Sequence, residues 1–282
     1  MTANGTRKII KAATALYDKG KWHDAVDLLK PLLKTKISIK DRREILMHLG
    51  WNFWKMSDKA MALTMWEAAL AAGADDITRA GAHAGLGIYF AELGKKRESL
   101  HHARLSEELT PESAGMSHIM NLNACAISLA KLSELERAEK LLRRIAKLNE
   151  ILETSSDPEL AARASHQRGK NGYNLATLVY IPMGRLIEAK NELYDEVIPR
   201  YTRAQAAGDL AAAYHRLSEI NEKMSGSENS ESPLEQLELA LAWEKVSLNF
   251  WKEGPNDPGR IKTAEENVKK LTEKISEFKK RS

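Results

Sequence analysis

A small residue recurs along this chain at nearly equal steps, each time in the same setting. Ala25, Ala62, Ser99, Ala138 and Ala189 are separated by 37, 37, 39 and 51 residues. Before each lies an apolar stretch of helical period and a short polar turn. After each comes a second apolar stretch of the same period. Self-similarity at such a step is the mark of a stacked array of supersecondary units. Here the unit reads as two helices joined by a tight turn. No such pair buries its apolar face alone, so successive pairs must stack into one continuous core. The 16 glycines and 8 prolines are too few for the many turns of a strand-rich fold.

Five segments carry the layout. The first, 9–33, has its turn at Gly20, then Trp22 and Ala25. The second, 46–70, has Leu49-Gly50, Phe53, Ala62, Trp66 and Ala69. The third, 83–111, has Leu86-Gly87, Phe90, Gly94, Ser99 and Ala103. The fourth, 122–149, places Ala126, Leu129, Ala138 and Leu142 alike, and the fifth, 173–199, has Tyr180, Gly184, Ala189 and Leu193 and closes at Pro199. A looser sixth runs through 208–224 and, after a break, 233–251. These segments resemble the tetratricopeptide repeat (TPR) family. The resemblance implies an all-α fold, a right-handed α-α superhelix of TPR-like solenoid type. It also implies a concave groove lined by the first helix of each pair.

The expected units are about 6–36, 43–74, 80–111, 119–150, 158–200 and 202–252. The long step between Ala138 and Ala189 reads as a lengthened first helix from Pro158 to Ile181, weakened by Gly169 and Gly172. Residues 225–232, SGSENSES, read as a polar, acidic loop, whether ordered or not. Gly254 to Gly259 is a firm break. Beyond it Ile261, Ala264, Val268, Leu271, Ile275 and Phe278 form one apolar stripe, the expectation being a C-terminal capping helix over 258–282. The rival reading of that stripe is a homodimer through the same helix.

Composition and motifs narrow the function. The net charge is +4, with an excess of six basic residues in 1–50, four acidic in 201–250 and three basic in 251–282. Neither basic end interleaves aromatic or base-reading groups, so no nucleic-acid footprint is read. The single cysteine, Cys125, reads as a core residue and allows no internal disulfide. No apolar run approaches the length of a membrane span, and no signal peptide is visible. The expected compartment is the cytoplasm. No phosphate-binding, metalloprotease or nucleophile-elbow motif occurs. The Gly-rich string 81–87 reads as a helix face that packs. None of the eight histidines stands at a recognised ligand spacing from a second histidine or a carboxylate. No cofactor, no metal and no catalytic residue are expected.

Function is therefore expected in the groove. Counting back from each small residue, the inward positions are Met47, Trp51 and Trp54 in the second unit. They are Ala84, Ile88 and Ala91 in the third, and Asn123, Ile127 and Ala130 in the fourth. In the fifth they are Asn171, Asn174, Leu178 and Ile181, and in the sixth His215. Tryptophans are favoured interface anchors, and an asparagine amide can both donate to and accept from a peptide backbone. The TPR resemblance implies that use of asparagine. The Lys/Asn set with which some TPR proteins grip acidic chaperone tails is absent, since Ile10, Thr14, Met47 and Trp51 stand at its places. The expectation is a non-catalytic scaffold or adaptor for a protein or peptide partner. Two alternatives stay open, a regulatory TPR protein that senses a peptide and, with less support, a helical repeat protein associated with nucleic acid.

Overall fold

The computed structural model describes residues 3–18, 20–73, 75–111, 115–226, 232–254 and 257–281. Among the described residues all regular structure is helical. The helices are α1 (Ala3–Asp18), α2 (Trp22–Leu29), α3 (Ile39–Lys55), α4 (Lys59–Ala71), α5 (Asp76–Glu92), α6 (Lys96–Leu109) and α7 (Met116–Lys131). They continue as α8 (Leu135–Glu153), α9 (Pro158–Asn174), α10 (Leu186–Asn191), α11 (Ile198–Arg203), α12 (Ala207–Ser225), α13 (Pro233–Glu253) and α14 (Pro258–Arg281). Wider π-helical turns, Leu175–Tyr180 and Glu192–Val197, extend α9 and join α10 to α11. The segment 227–231, most of the polar loop expected at 225–232, lies outside the described residues. The chain divides into two compact units, Met1–Leu141 and Leu142–Ser282.

One turn geometry recurs inside each of the five pairs, and again at Gln205 between α11 and α12. Gly20, Ser57, Gly94, Ser133 and Gly184 all have φ between 60° and 74°. Each donates its N–H to the carbonyl three residues back at 3.0 Å. The next residue (Lys21, Asp58, Lys95, Glu134, Arg185) donates to the carbonyl five back at 2.9 Å. This doubly bonded left-handed turn satisfies the last carbonyls of the first helix and reverses the chain. The five left-handed residues are spaced 37, 37, 39 and 51 apart, the same steps as the small residues, which follow each of them by five. Glycine enters the left-handed region freely, whereas Ser57 and Ser133 hold it against their Cβ.

The small residues let the paired helices close up. Ala25, Ala62, Ser99, Ala138 and Ala189 are all fully buried. Ser99 Oγ donates to the Gly87 carbonyl at 2.8 Å, tying α6 to α5. Side-chain caps start several helices: Ser38 accepts from Asp41 N–H, Asp58 from Met61, Asp75 from Thr78 and Asp157 from Glu159 and Leu160.

In the first unit Trp66 of α4 is the deepest wedge, with no exposed surface. It lies between two glycines. A Cβ on Gly50 of α3 would stand 2.3 Å from its ring, and one on Gly85 of α5 also 2.3 Å. The string 81–87 is buried throughout, so α5 runs inside the unit rather than cradling a ligand.

In the second unit, Gly169 and Gly172 of α9 stand where other elements approach closely. Tyr201 of α11 packs at the first, and Glu192 and Val197 at the second. Glu192 is pushed up to about 7 by burial and by the neighbouring Glu196 charge, against the pull of Arg143, Arg200 and Arg168. The helix expected to close at Pro199 instead runs on to Arg203. Proline lacks the N–H and crowds the carbonyl four residues earlier. The π turn just before it, Glu192–Val197, interrupts the regular α ladder at that place. The sixth pair is α12 with α13, tied by Ser247 Oγ to the Ala211 carbonyl at 2.8 Å. Ala264, Leu271 and Ile275 of α14 are buried against α12 and α13, in clusters with Ala211, Leu237, Ala240 and Trp251. That packing takes up the stripe on which a homodimer through α14 would depend.

Candidate functional site

The first helices of the second, third and fourth pairs bring their candidate residues together. Trp51, Trp54 (α3), Ile127 (α7), Ala84, Ile88 (α5) and Ala124 (α7) form one apolar cluster. Ala84, Ile88 and Ala124 are buried, while the two tryptophans and Ile127 are half-buried. The result is a buried set of small and branched residues with three larger, half-buried side chains packed on it.

Trp66 fixes those aromatic rings from below. Trp51 meets it edge-on, with ring centroids 5.2 Å apart and planes at 68°, and Trp54 lies 5.9 Å away at 42°. The two tryptophans are thus both packing residues and surface. Met47 is half-buried on the same core as Trp51 and Trp54, with its Cγ and Sδ beside Gly81 of α5. Beside Trp54 stands a charged rim. Glu92 pairs with Lys59 and, at 3.0 Å, with Lys131, and Lys59 Nζ lies 5.7 Å from the Trp54 ring centroid. Burial alone would raise the Glu92 carboxyl, but the bonds and charges of the two lysines outweigh it and hold it low.

The remaining candidates are placed differently. Asn123 and Asn174 are half-buried and both are engaged with other groups. Leu178 is half-buried on the π turn. Asn171 is corrected from groove residue to packing residue. It is 1% exposed, and its amide donates to the Leu142 carbonyl at 2.8 Å, joining α9 to α8. The physical reason is the π turn that follows α9. Each such turn inserts a residue, so upstream positions are rotated by about 100° relative to an unbroken α-helix. Counting back from Ala189 therefore lands on the wrong face.

His215 is half-buried and bound inward. Its Nδ1 lies 2.9 and 3.1 Å from the carboxylate of Glu244, which is 1% exposed. Asn267 of α14 donates to the same carboxylate at 3.2 Å. The bond to Glu244 raises the histidine, against burial, with Glu244 and Glu219 charges adding to it. A raised folded value means that this pair's stabilisation is complete below the ordinary histidine value near 6.5. It is lost as pH rises through the raised value. We expect amide exchange in α14 to quicken on alkaline titration across that window. Glu244→Gln should flatten the dependence, and a wild-type profile no steeper than the variant's would remove the linkage.

Three histidine pairings escape any reading by sequence spacing. His83 and His102 approach at 3.0 Å between Nδ1 atoms, His166 meets Asp209 at 2.8 Å, and His215 meets Glu244. Each joins two helices, so only the turn and the helix phase together bring the partners into reach. Among the described residues no group of three or more His, Cys, Asp or Glu could hold a metal ion. Among them, too, no helix is long and apolar enough to cross a membrane. Cys125 is fully buried and its thiol is pushed up to about 12 by that burial, which leaves it unreactive.

No protein-family model matches the chain, and no curated protein matches it. Among solved structures, two forms of a putative kinesin light chain from Podosopora anserina, described as having nearly identical TPR-like repeats, are similar at 15% identity. They cover 71% and 72% of this chain and 96% and 98% of theirs, with TM-scores of 0.44 and 0.43. The C-terminal part of a TPR repeat-containing protein from Cytophaga hutchinsonii is similar at 15% identity, over 91% of this chain and 86% of its own, with a TM-score of 0.39. These are likenesses of low score, and the assignment of the helix pairs rests on the five turns and the small-residue packing. The fold is TPR-like. In TPR-like terms Trp51, Ile88 and Ile127 are equivalent positions, each eleven residues before its small residue.

Proposed function

We propose that this TPR-like chain is a non-catalytic scaffold that binds a peptide or a partner helix on the face formed by α3, α5 and α7. The observation that carries the reading is the clustering of Trp51, Trp54 and Ile127, all half-buried, packed on Ala84, Ile88 and Ala124. Aromatic side chains with a polar rim are the composition of an interface core. The Glu92, Lys59 and Lys131 group supplies such a rim on one side. Asn123, on the same helix as Ile127, is the groove asparagine this reading retains for backbone contact. A cytoplasmic location and the absence of a cofactor belong to the same proposal.

The test uses peptides selected from a displayed random library against the whole chain. Ile127→Lys places a charge on the face without opening the core, and Trp54→Ala removes an anchor. Each should weaken a selected peptide by at least tenfold, about 1.4 kcal/mol, while thermal unfolding of Ile127→Lys stays near wild type. Undiminished affinity in both variants would refute the assignment.

A further inference from the structure

We propose a second binding site in the second unit, a cavity that takes the arginine side chain of a basic partner peptide. It does not rest on the reading of the α3, α5 and α7 face. The cavity measures about 160 Å³. Cavities of roughly 150 Å³ hold one benzene ring, so this one suits a single planar side-chain group. Tyr194 and Trp243 line it, over Leu217 and Leu239. The two rings stand 6.2 Å apart with planes at 62°, forming an open corner. Tyr194 is 56% exposed, far more than an aromatic residue serving the core alone.

The corner is held in place before any ligand arrives. Tyr214 stacks on Trp243 at 5.5 Å and 22°, and Phe250 stacks on Tyr214 at 5.7 Å and 7°. Tyr214 of α12, itself backed by Phe250 of α13, thus fixes the plane of Trp243, which lowers the ordering cost of binding.

Charge selects the occupant. Asp195 lines the same cavity and is exposed, and among the described residues it has no hydrogen bond or ion pair. An apolar guest would desolvate that carboxylate without return, which is unfavourable. A cation satisfies it. The other charged lining residue, Lys190, turns its ammonium to Asn221 Oδ1 at 3.3 Å. Between the two cationic side chains, the planar guanidinium both stacks on an aromatic face and presents a fork of N–H donors to one carboxylate. An ammonium does the first less well and lacks the fork.

The experiment titrates the whole chain with a twelve-residue peptide of alternating glycine and arginine, and with its lysine and citrulline counterparts. Citrulline keeps the planar shape and removes the charge. Calorimetry gives affinity and the Trp243 indole N–H signal gives location. The arginine peptide should move the Trp243 signal, the lysine peptide should bind several-fold more weakly, and the citrulline peptide at least tenfold more weakly. Asp195→Asn should cost about tenfold, whereas Glu235→Gln, an exposed change on α13, should cost nothing measurable. The site is refuted if arginine and citrulline peptides bind alike or the Trp243 signal stays still. It is equally refuted if Glu235→Gln weakens binding as much as Asp195→Asn, since attraction would then be diffuse.

Discussion

Gly85→Ala should destabilise the chain by about 2–4 kcal/mol, although alanine is the better helix former by about 1 kcal/mol. The reason is Trp66. A Cβ at position 85 would stand 2.3, 2.5 and 2.6 Å from three atoms of its indole ring. The ring has nowhere to go, because Gly50 admits it from the opposite helix with equal closeness and it has no exposed surface. Gly81, four residues earlier on α5, offers the contrast. Its nearest neighbours are the Met47 Cγ and Sδ at 3.3 and 3.4 Å, and a methionine side chain yields readily. Gly81→Ala should therefore change stability by less than about 1 kcal/mol. Urea unfolding of the two variants decides the matter. If Gly85→Ala unfolds at or above the wild-type midpoint, the wedge is not as described. In the double variant Gly85→Ala/Trp66→Leu the two effects should fall well short of additive, since they share one space.

The consequence reaches the candidate site. Trp51 and Trp54 both rest on Trp66, at 5.2 and 5.9 Å. Two glycines on α3 and α5 thus set the placement of the two largest side chains on the proposed face.

The second large effect is acid sensitivity carried by His83 and His102. Their Nδ1 atoms lie 3.0 Å apart, so one must donate and the other accept, and the two rings cannot both be charged without losing that bond. Phe90 stacks on His102 at 5.4 Å and closes that side. Burial, with the charges of His102, Arg79 and His101, lowers His83 to about 4. Burial and His101 lower His102 as well, against the opposite pull of Glu98. A depressed folded value means that the unfolded chain binds the proton first as pH falls. Stability is then fully present above the ordinary value of 6.5 and is lost between 6.5 and about 4. The full shift would amount to roughly 3 kcal/mol. On the order of 2 kcal/mol is expected, because His102 is only half-buried and solvent screens the new charge. Melting curves of wild type and His83→Gln at pH 7.5 and pH 4.5 measure it. The wild type should lose more on acidification than the variant. Equal losses would place the acid sensitivity elsewhere.

The frame was legible in the sequence because its positions restrict residue type twice over. Gly20, Gly94 and Gly184 occupy a left-handed turn, and Ala25, Ala62 and Ala189 a point of close approach, so few substitutes serve at either. The clustering of Trp51, Ile88 and Ile127 follows from counting along uninterrupted helices. That method fails where the helix widens, and Asn171 is buried for that reason. Partners that meet across two helices were not legible at all. His83 and His102 lie 19 residues apart and His215 and Glu244 lie 29 apart, and neither distance is a recognised spacing. The role of Trp66 was hidden for a related cause. Its pattern position marks it as bulky and apolar, but only the packing shows the two glycines that receive it.

The most direct test of the account follows the six tryptophan indole N–H signals while a library-selected peptide is added. Single Trp→Phe variants at 51 and 54 assign the two that matter. The Trp51 and Trp54 signals should move together as peptide saturates wild type, and Ile127→Lys should need at least tenfold more peptide for the same shifts. Tight binding that leaves those two signals in place would contradict the account.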